Sequence, residues 1–415
     1  MARWSVIVVF ALLGAVTQVL WVTYAPVTDA ASQVYGVSDG AIGWLANVFP
    51  LLYVLLAIPA GMVLDRWFRG GLAAGAVLTA LGAVLRLGDG YGWALLGQLV
   101  VGVAQPLVLN AITGVASRYL PPADRPTGIA IGSASTFAGL IVGFGLGAVF
   151  ASPAGIRPLL LVQAALAVVV AVAVLVVLRR PAPNVAHGAV AALAAKAVAE
   201  PDGPVPTPVG GAAEPAGEPA SGGIGAVREA LRDPVIRRLC VLVFVPFGVF
   251  VSLTTFAQPL LEPAGVSEAT AGLILVANVV AGVVGCAIVP VLASRYRVEV
   301  RFMGVALAVT ALACVALAVV PGVPVGFVAV IALGFALLPA LPIVLELTER
   351  RAGRAEGTAT GLIWLTGNLG GLVLAAVVGL LVDHPMAAFL LLGALSLLTL
   401  PLLRVFRPTF SAIQR

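Results

Sequence analysis

Residues 61–70 read GMVLDRWFRG, and this short stretch decides how the rest of the chain is read. An apolar segment runs up to Leu64 and another begins at about residue 71. Between them fall Asp65, Arg66 and Arg69, a charge density that hydrocarbon does not tolerate. The flanking segments are each about 20 residues, enough to cross roughly 30 Å of bilayer core at 1.5 Å per residue. The stretch is therefore a tight polar turn at a membrane surface, joining two spans. Gly61 lies just inside the first of them, where a missing side chain lets another helix come close.

Carried outward, the same alternation gives twelve apolar stretches, at 5–27, 40–64, 71–88, 93–117, 127–151, 157–178, 237–260, 268–293, 301–320, 323–347, 357–382 and 386–405. Six lie on each side of a polar insert. The expected fold class is thus an all-α membrane protein with twelve transmembrane helices in two six-helix halves. The first half covers 1–180 and the second 235–415, with a cytoplasmic linker at 181–234. That linker holds Pro201, Pro204, Pro206, Pro208, Pro215 and Pro219, which exclude a continuous helix there. VAHGAVAALAAKAVAE, ahead of the prolines, is compatible with a short Ala-rich helix, and GAVREALRDPVIRR, after them, reads as a short amphipathic helix leading into the seventh span. Composition agrees: 61% of residues are hydrophobic and 10% charged, against roughly 25% charged in a soluble domain.

The basic residues set the orientation. With both termini cytoplasmic, 21 of the 23 Lys and Arg residues fall on the inner side, and only Arg86 and Arg157 lie near the outer one. An odd number of spans destroys this partition. The net charge of +5 is accounted for by topology, with no nucleic-acid partner implied. The expected location is a plasma or inner membrane, the expected partners a small-molecule substrate and membrane lipids, and the expected state a monomer.

Enzymatic and metal chemistry find little support. Cys240, Cys286 and Cys314 lie inside spans without a ligand spacing, and His187 and His384 stand apart. No cofactor and no catalytic residue is expected. Intramembrane charges are few, which makes each a candidate. Glu346 ends the tenth span and has Arg350 one turn later; Asp29 ends the first span; Arg86 has Asp89 three residues on, a pairing expected to be structural. No carboxylate sits mid-membrane, so a proton-coupled mechanism has no obvious carrier.

The turn at 61–70 resembles the signature loop of the major facilitator superfamily, Gly-x-x-x-Asp-Arg-x-x-Arg. The resemblance implies a transporter whose two halves rock about a central site. Gly61, Asp65, Arg66 and Arg69 would form a latch at the inner face that favours an outward-open state. The pseudo-equivalent turn, GCAIVPVLASRYR at 285–297, has Pro290, Ser294 and Arg295 at the Gly, Asp and Arg positions, so its geometry is expected without the ion pair. Arg295 and Glu346 complete the expected gating set.

Longer strings are similar to a branch of that superfamily, the feline leukaemia virus subgroup C receptor-related transporters, associated with choline, related amines and haem. They are LWVTYAPVTD at 20–29, YGVSDGAIGWLANVFPLLYVLLAIPAGMVLD at 35–65, GQLVVGVAQPLVLN at 97–110 and LPIVLELTERRAGRAEGTATGLIWLTGN at 341–368. This resemblance implies a cavity lined by Trp21, Gln105 and, in place of a glutamine, Asn368, with Tyr24 in the Trp21 string. Where the family closes an aromatic cage with a tyrosine, FGVFVSLTTF offers Val251, beside Phe250 and Phe256; Trp364 is a candidate replacement wall. An aromatic face attracts a cation without bonding it, by roughly 0.5–2 kcal/mol. The expected function is facilitative transport of a small organic solute, such as a choline-like amine or an amphiphile. The alternatives are a proton-coupled drug or metabolite exporter and, from another class, a non-transporting receptor. The fifth span has glycines but no Gly-Pro pair, which weighs against the exporter.

Overall fold

The computed structural model describes residues 4–179, 224–352 and 356–404, and nearly all of them are helical. In hydrocarbon each peptide group must be satisfied within its own segment, and these apolar runs meet that demand as helices. The N-terminal half comprises α1 (Trp4–Trp21), α2 (Thr28–Tyr35), α3 (Asp39–Arg66), α4 (Phe68–Leu85), α5 (Tyr91–Leu109), α6 (Ile112–Tyr119), α7 (Arg125–Val149) and α8 (Ile156–Leu178). The C-terminal half comprises α9 (Ile224–Arg232), α10 (Pro234–Leu261), α11 (Glu268–Tyr296), α12 (Glu299–Val319), α13 (Val323–Leu337), α14 (Ala340–Ala352), α15 (Glu356–Gly379) and α16 (Pro385–Arg404). Twelve of the resulting segments are long and apolar enough to cross a membrane. The amphipathic helix expected ahead of the seventh span is α9; the Ala-rich piece and the proline run lie outside the described residues.

Three spans expected as continuous are interrupted. Span 1 stops at Trp21, passes through a turn and a short 3-10 segment containing Pro26, and resumes as α2. Span 4 breaks between α5 and α6 at Asn110 and Ala111. Span 10 breaks between α13 and α14 at Leu338 and Pro339. Proline lacks the amide proton that continues a helix, which accounts for the last break. At the break in span 4 the Asn110 side chain takes over: its amide donates to the Ala57 carbonyl at 2.7 Å and accepts from the Tyr53 hydroxyl at 2.7 Å.

The two halves repeat one packing scheme six spans apart. Within the first, span 1 packs on spans 5 and 6, span 2 on 4, and span 3 on 4 and 6; spans 7 to 12 repeat those pairings in the second. Gly139 and Gly143 serve this packing, since a Cβ on either would strike span 1, at Ala15 in one case and at Val19 and Val22 in the other. The halves meet through two equivalent pairs, span 2 against span 11 and span 5 against span 8. That interface positions the site.

Candidate functional site

The end of the interface expected to face the cytoplasm is sealed. Spans 2 and 11 touch backbone to backbone along successive turns. A Cβ on Gly361 would stand 2.7 Å from the Ala57 carbonyl oxygen, and one on Gly61 would stand 2.5 Å from that of Gly357. One turn further in, Asp65 receives the Gly357 amide at 2.5 Å, the Thr358 amide at 2.9 Å and the Thr358 hydroxyl. These amides open α15, so the carboxylate sits where the positive end of the helix dipole and its unsatisfied donors point. Of the expected latch, Gly61 and Asp65 therefore cross the interface. Arg69 instead donates to the Leu178 carbonyl, capping the end of α8 within its own half. Arg66 is exposed over the Trp67 ring, 4.8 Å from its centroid.

Two ion pairs flank the latch, and neither belongs to the loop motif. Arg118 on α6 meets Glu356 on α15 at 3.1 Å, and Ser117 donates to the same oxygen at 2.9 Å. Arg125 on α7 meets Glu349 on α14 at 2.6 Å. By the internal repeat, the end of span 4 corresponds to the end of span 10, and the start of span 11 to the start of span 5. The two pairs are thus counterparts with their charges reversed, and in both the N-terminal half supplies the arginine.

The second loop behaves differently from the expectation of geometry without an ion pair. Ser294 donates to Glu346 at 2.8 Å and accepts from Arg350 at 2.9 Å; Arg350 also pairs with Glu346 and reaches Glu299 at 3.4 Å. The acid missing from position 294 is supplied by Glu346, but all these partners lie in one half. Arg295 is exposed, its guanidinium 6.0 Å from the Tyr296 ring centroid. It joins no contact between the halves that the structure shows.

Above the seal, aromatic rings from both halves lie in three contact groups that follow one another by single turns of α3 and α10. Trp21 stacks on Phe49 with centroids 6.3 Å apart and planes at 27°. One turn along α3, Tyr53 meets Trp364 at 6.2 Å, and Trp364 meets Phe247 edge-on at 6.3 Å. One turn along α10, Phe250 meets Phe137 of the other half at 6.2 Å. A narrow crevice beside these rings is lined by Phe137, Phe247, Phe250 and the broken region of span 10 from Leu337 to Leu341. It leaves room for little more than a water molecule. Trp364 is 5% exposed and its indole N–H has no partner among the described residues.

The other expected residues divide. Gln105 is buried on α5 and its amide makes no hydrogen bond among the described residues, leaving it available to a ligand. Asn368 donates to the Trp364 carbonyl at 2.8 Å, which keeps its oxygen for other use. Val251 faces span 11, where it limits the space at Gly371. Tyr24 is buried away from the series, edge-on to Tyr35 with their hydroxyls 3.3 Å apart. The expected Arg86–Asp89 pair is not formed. Asp89 lies in an exposed turn beside Arg157 at 3.3 Å, while Arg86 turns into the bundle and is 1% exposed. Phe49, Tyr53, Phe137 and Phe247 were not singled out from the sequence. The signal lay in their spacing, since Phe49/Tyr53 and Phe247/Phe250 are pairs one helical turn apart.

Comparison with known proteins identifies the scaffold. The family model of the Major Facilitator Superfamily matches residues 6–375. The chain belongs to that superfamily. Its curated relatives include Solute carrier family 49 member A3 of Danio rerio, 27% identical over 88% of this chain and 76% of the relative. The choline/ethanolamine transporter FLVCR1 of Mus musculus is 31% identical over 34% of this chain and 26% of its own length. Among solved structures, the superfamily transporter FucP in its outward conformation matches 97% of this chain and 99% of its own with a TM-score of 0.73 at 16% identity. The human organic anion transporter MFSD10 matches 96% and 99%, with a TM-score of 0.68 at 18% identity. These structures support the fold. The superfamily assignment accounts for the two repeated halves and for the position of the interface between them.

Proposed function

We propose that this solute carrier moves a small organic amine of the choline or ethanolamine type, by alternating access and without proton coupling. The observation that carries the reading is the series of aromatic rings spanning the interface from Trp21 to Phe137 with no carboxylate among them. A permanent cation is attracted by such faces at roughly 0.5–2 kcal/mol per contact and needs no counter-ion. Gln105 then offers its amide to a hydroxyl or ammonium end of the solute, and the Trp364 indole N–H can donate to a hydroxyl. Trp364, Phe247 and Phe250 take the place of the aromatic wall lost at Val251. The names of the FLVCR relatives point to the same chemistry.

The acids of the inner face are engaged in the gate, which favours a carrier driven by the solute's own gradient. In this reading both termini lie in the cytoplasm, the side that the distribution of Lys and Arg favours, with Asp65 and the flanking ion pairs on the inner face. One observation favours the exporter reading: Glu346 Oε2 and Glu356 Oε1 are buried without partners among the described residues, as proton-carrying oxygens would be.

Purified protein in proteoliposomes separates the two. Labelled choline is expected to enter saturably and equilibrate equally with and without an imposed pH gradient. Accumulation that requires the gradient establishes the exporter instead, and the absence of saturable uptake of choline or ethanolamine removes the amine reading.

A further inference from the structure

The outer end of the N-terminal half holds a charge that the proposed transport cycle leaves unexplained. Arg86, the residue after α4, is 1% exposed. A buried guanidinium ordinarily faces a carboxylate, yet the partners here are neutral. Nη1 donates to the Leu20 carbonyl at 3.3 Å, the Thr23 hydroxyl at 2.8 Å and the Gln98 amide oxygen at 3.3 Å. Nη2 donates to the Gln163 amide oxygen at 3.1 Å. The Tyr24 and Tyr35 hydroxyls lie in the same electrostatic neighbourhood.

The position of these acceptors explains the arrangement. Leu20 belongs to the last turn of α1, and Thr23 to the turn that follows it. The final carbonyls of a helix lack intrahelical donors and carry the negative end of its dipole. Arg86 supplies both a donor and a compensating charge at the place where span 1 breaks. Thr23 reinforces the link by donating to Gln163 at 2.8 Å, and Gln98 anchors it by donating to the Leu45 carbonyl at 3.0 Å. Gly97 on α5 makes the space, because a Cβ there would collide with the Arg86 side chain.

We propose that Arg86 is a positioning residue for the aromatic site. It clamps the broken end of span 1 to spans 3, 4 and 6, and so holds the Trp21 indole, the last residue of α1, against Phe49. The proposal rests on the reading of Trp21 as a wall of the substrate site. Lysine cannot reproduce the clamp, because its single ammonium lacks the planar fork that reaches acceptors on three spans.

The test uses the full chain labelled with 5-fluorotryptophan and followed by fluorine NMR, with Trp21 and Trp364 assigned through Trp21→Phe and Trp364→Phe. In Arg86→Lys the Trp21 resonance should shift or split while that of Trp364 stays in place. The KM for choline should rise roughly tenfold, the worth of one well-placed aromatic contact, with the maximal rate changed far less. Thr23→Val keeps the volume, removes one acceptor, and should move the same resonance by a smaller amount. If Arg86→Lys does not fold, Thr23→Val decides alone. A Trp21 resonance unmoved in the folded variants overturns the clamp. Choline that leaves the Trp21 resonance of the unmodified protein unchanged counts against the amine reading and leaves the clamp standing, so the two failures are distinguishable.

Discussion

The C-terminal ends of spans 2 and 8 occupy equivalent places in the two repeats, and they do opposite things. At the end of span 2, Asp65 crosses to the first amides of α15 and ties one half to the other. At the end of span 8, Ser294 stays within its own half, between Glu346 and Arg350. The difference shows that a repeated loop can keep its polar contacts and lose its contact with the other half when the charge moves to a neighbouring helix. It also shows where the compensation lies. The Arg125–Glu349 pair closes the side of the interface that a second latch would have closed.

The comparison can be broken most forcefully at Gly61. Gly61→Val places a branched side chain against the Gly357 backbone, where even a Cβ would come within 2.5 Å. The inner face then cannot close, and transport should fall to background while the protein still inserts. Cysteine labelling at the inner face should show a permanently open state; full closure in that variant refutes the backbone seal.

Asp65→Asn is next. It keeps one oxygen as an acceptor but removes the charge facing the start of α15, and hydrogen bonds to charged groups are worth roughly 1.5–3 kcal/mol each. The inward-open population should rise by about tenfold or more. Ser294→Ala, the equivalent change in the other repeat, should leave that population within about twofold of normal, the surface-substitution range. Equal effects from the two would erase the asymmetry.

A smaller effect is expected at the flanking pairs, whose arginines are 25% and 26% exposed and therefore screened. Glu349→Gln should shift the population by about fivefold, in the range of 1 kcal/mol for a partly exposed pair. Exchanging the charges as Arg125→Glu with Glu349→Arg should restore closure, since the equivalent pair, Arg118–Glu356, already carries the reversed polarity. Failure of the exchange while both single variants fold would show that the pair acts through packing.

Much of this was legible in the sequence because the bilayer imposes a length and a composition on every span. The twelve stretches, the polar turn at 61–70 and the pairing of Glu346 with Arg350 all follow from local pattern. The breaks in spans 4 and 10 did not, since Asn110 and Pro339 sit in runs apolar enough to read as continuous helix. The contacts across the interface were hidden for another reason. Arg118 and Arg125 read only as orientation signals, because the acids they meet are more than 200 residues away in sequence. Local sequence pairs Arg86 with Asp89, three residues on, whereas the fold sends it toward the end of α1 and the amides of Gln98 and Gln163, which no local pattern reveals. Trp21 and Gln105 are legible only through family strings, and the rings of Phe49, Tyr53 and Phe247 come together only in the tertiary packing, Phe49 against Trp21 and the other two against Trp364.

The central claim is that aromatic rings from both halves hold the solute, and exchange of labelled choline across proteoliposomes tests it most directly. Trp21→Leu and Trp364→Leu remove one wall from each half and keep an apolar side chain. Each should raise the half-saturating choline concentration by about tenfold, as the loss of a cation–π contact of 1–1.4 kcal/mol requires, while the protein stays folded. Half-saturation unchanged in both variants would contradict the account.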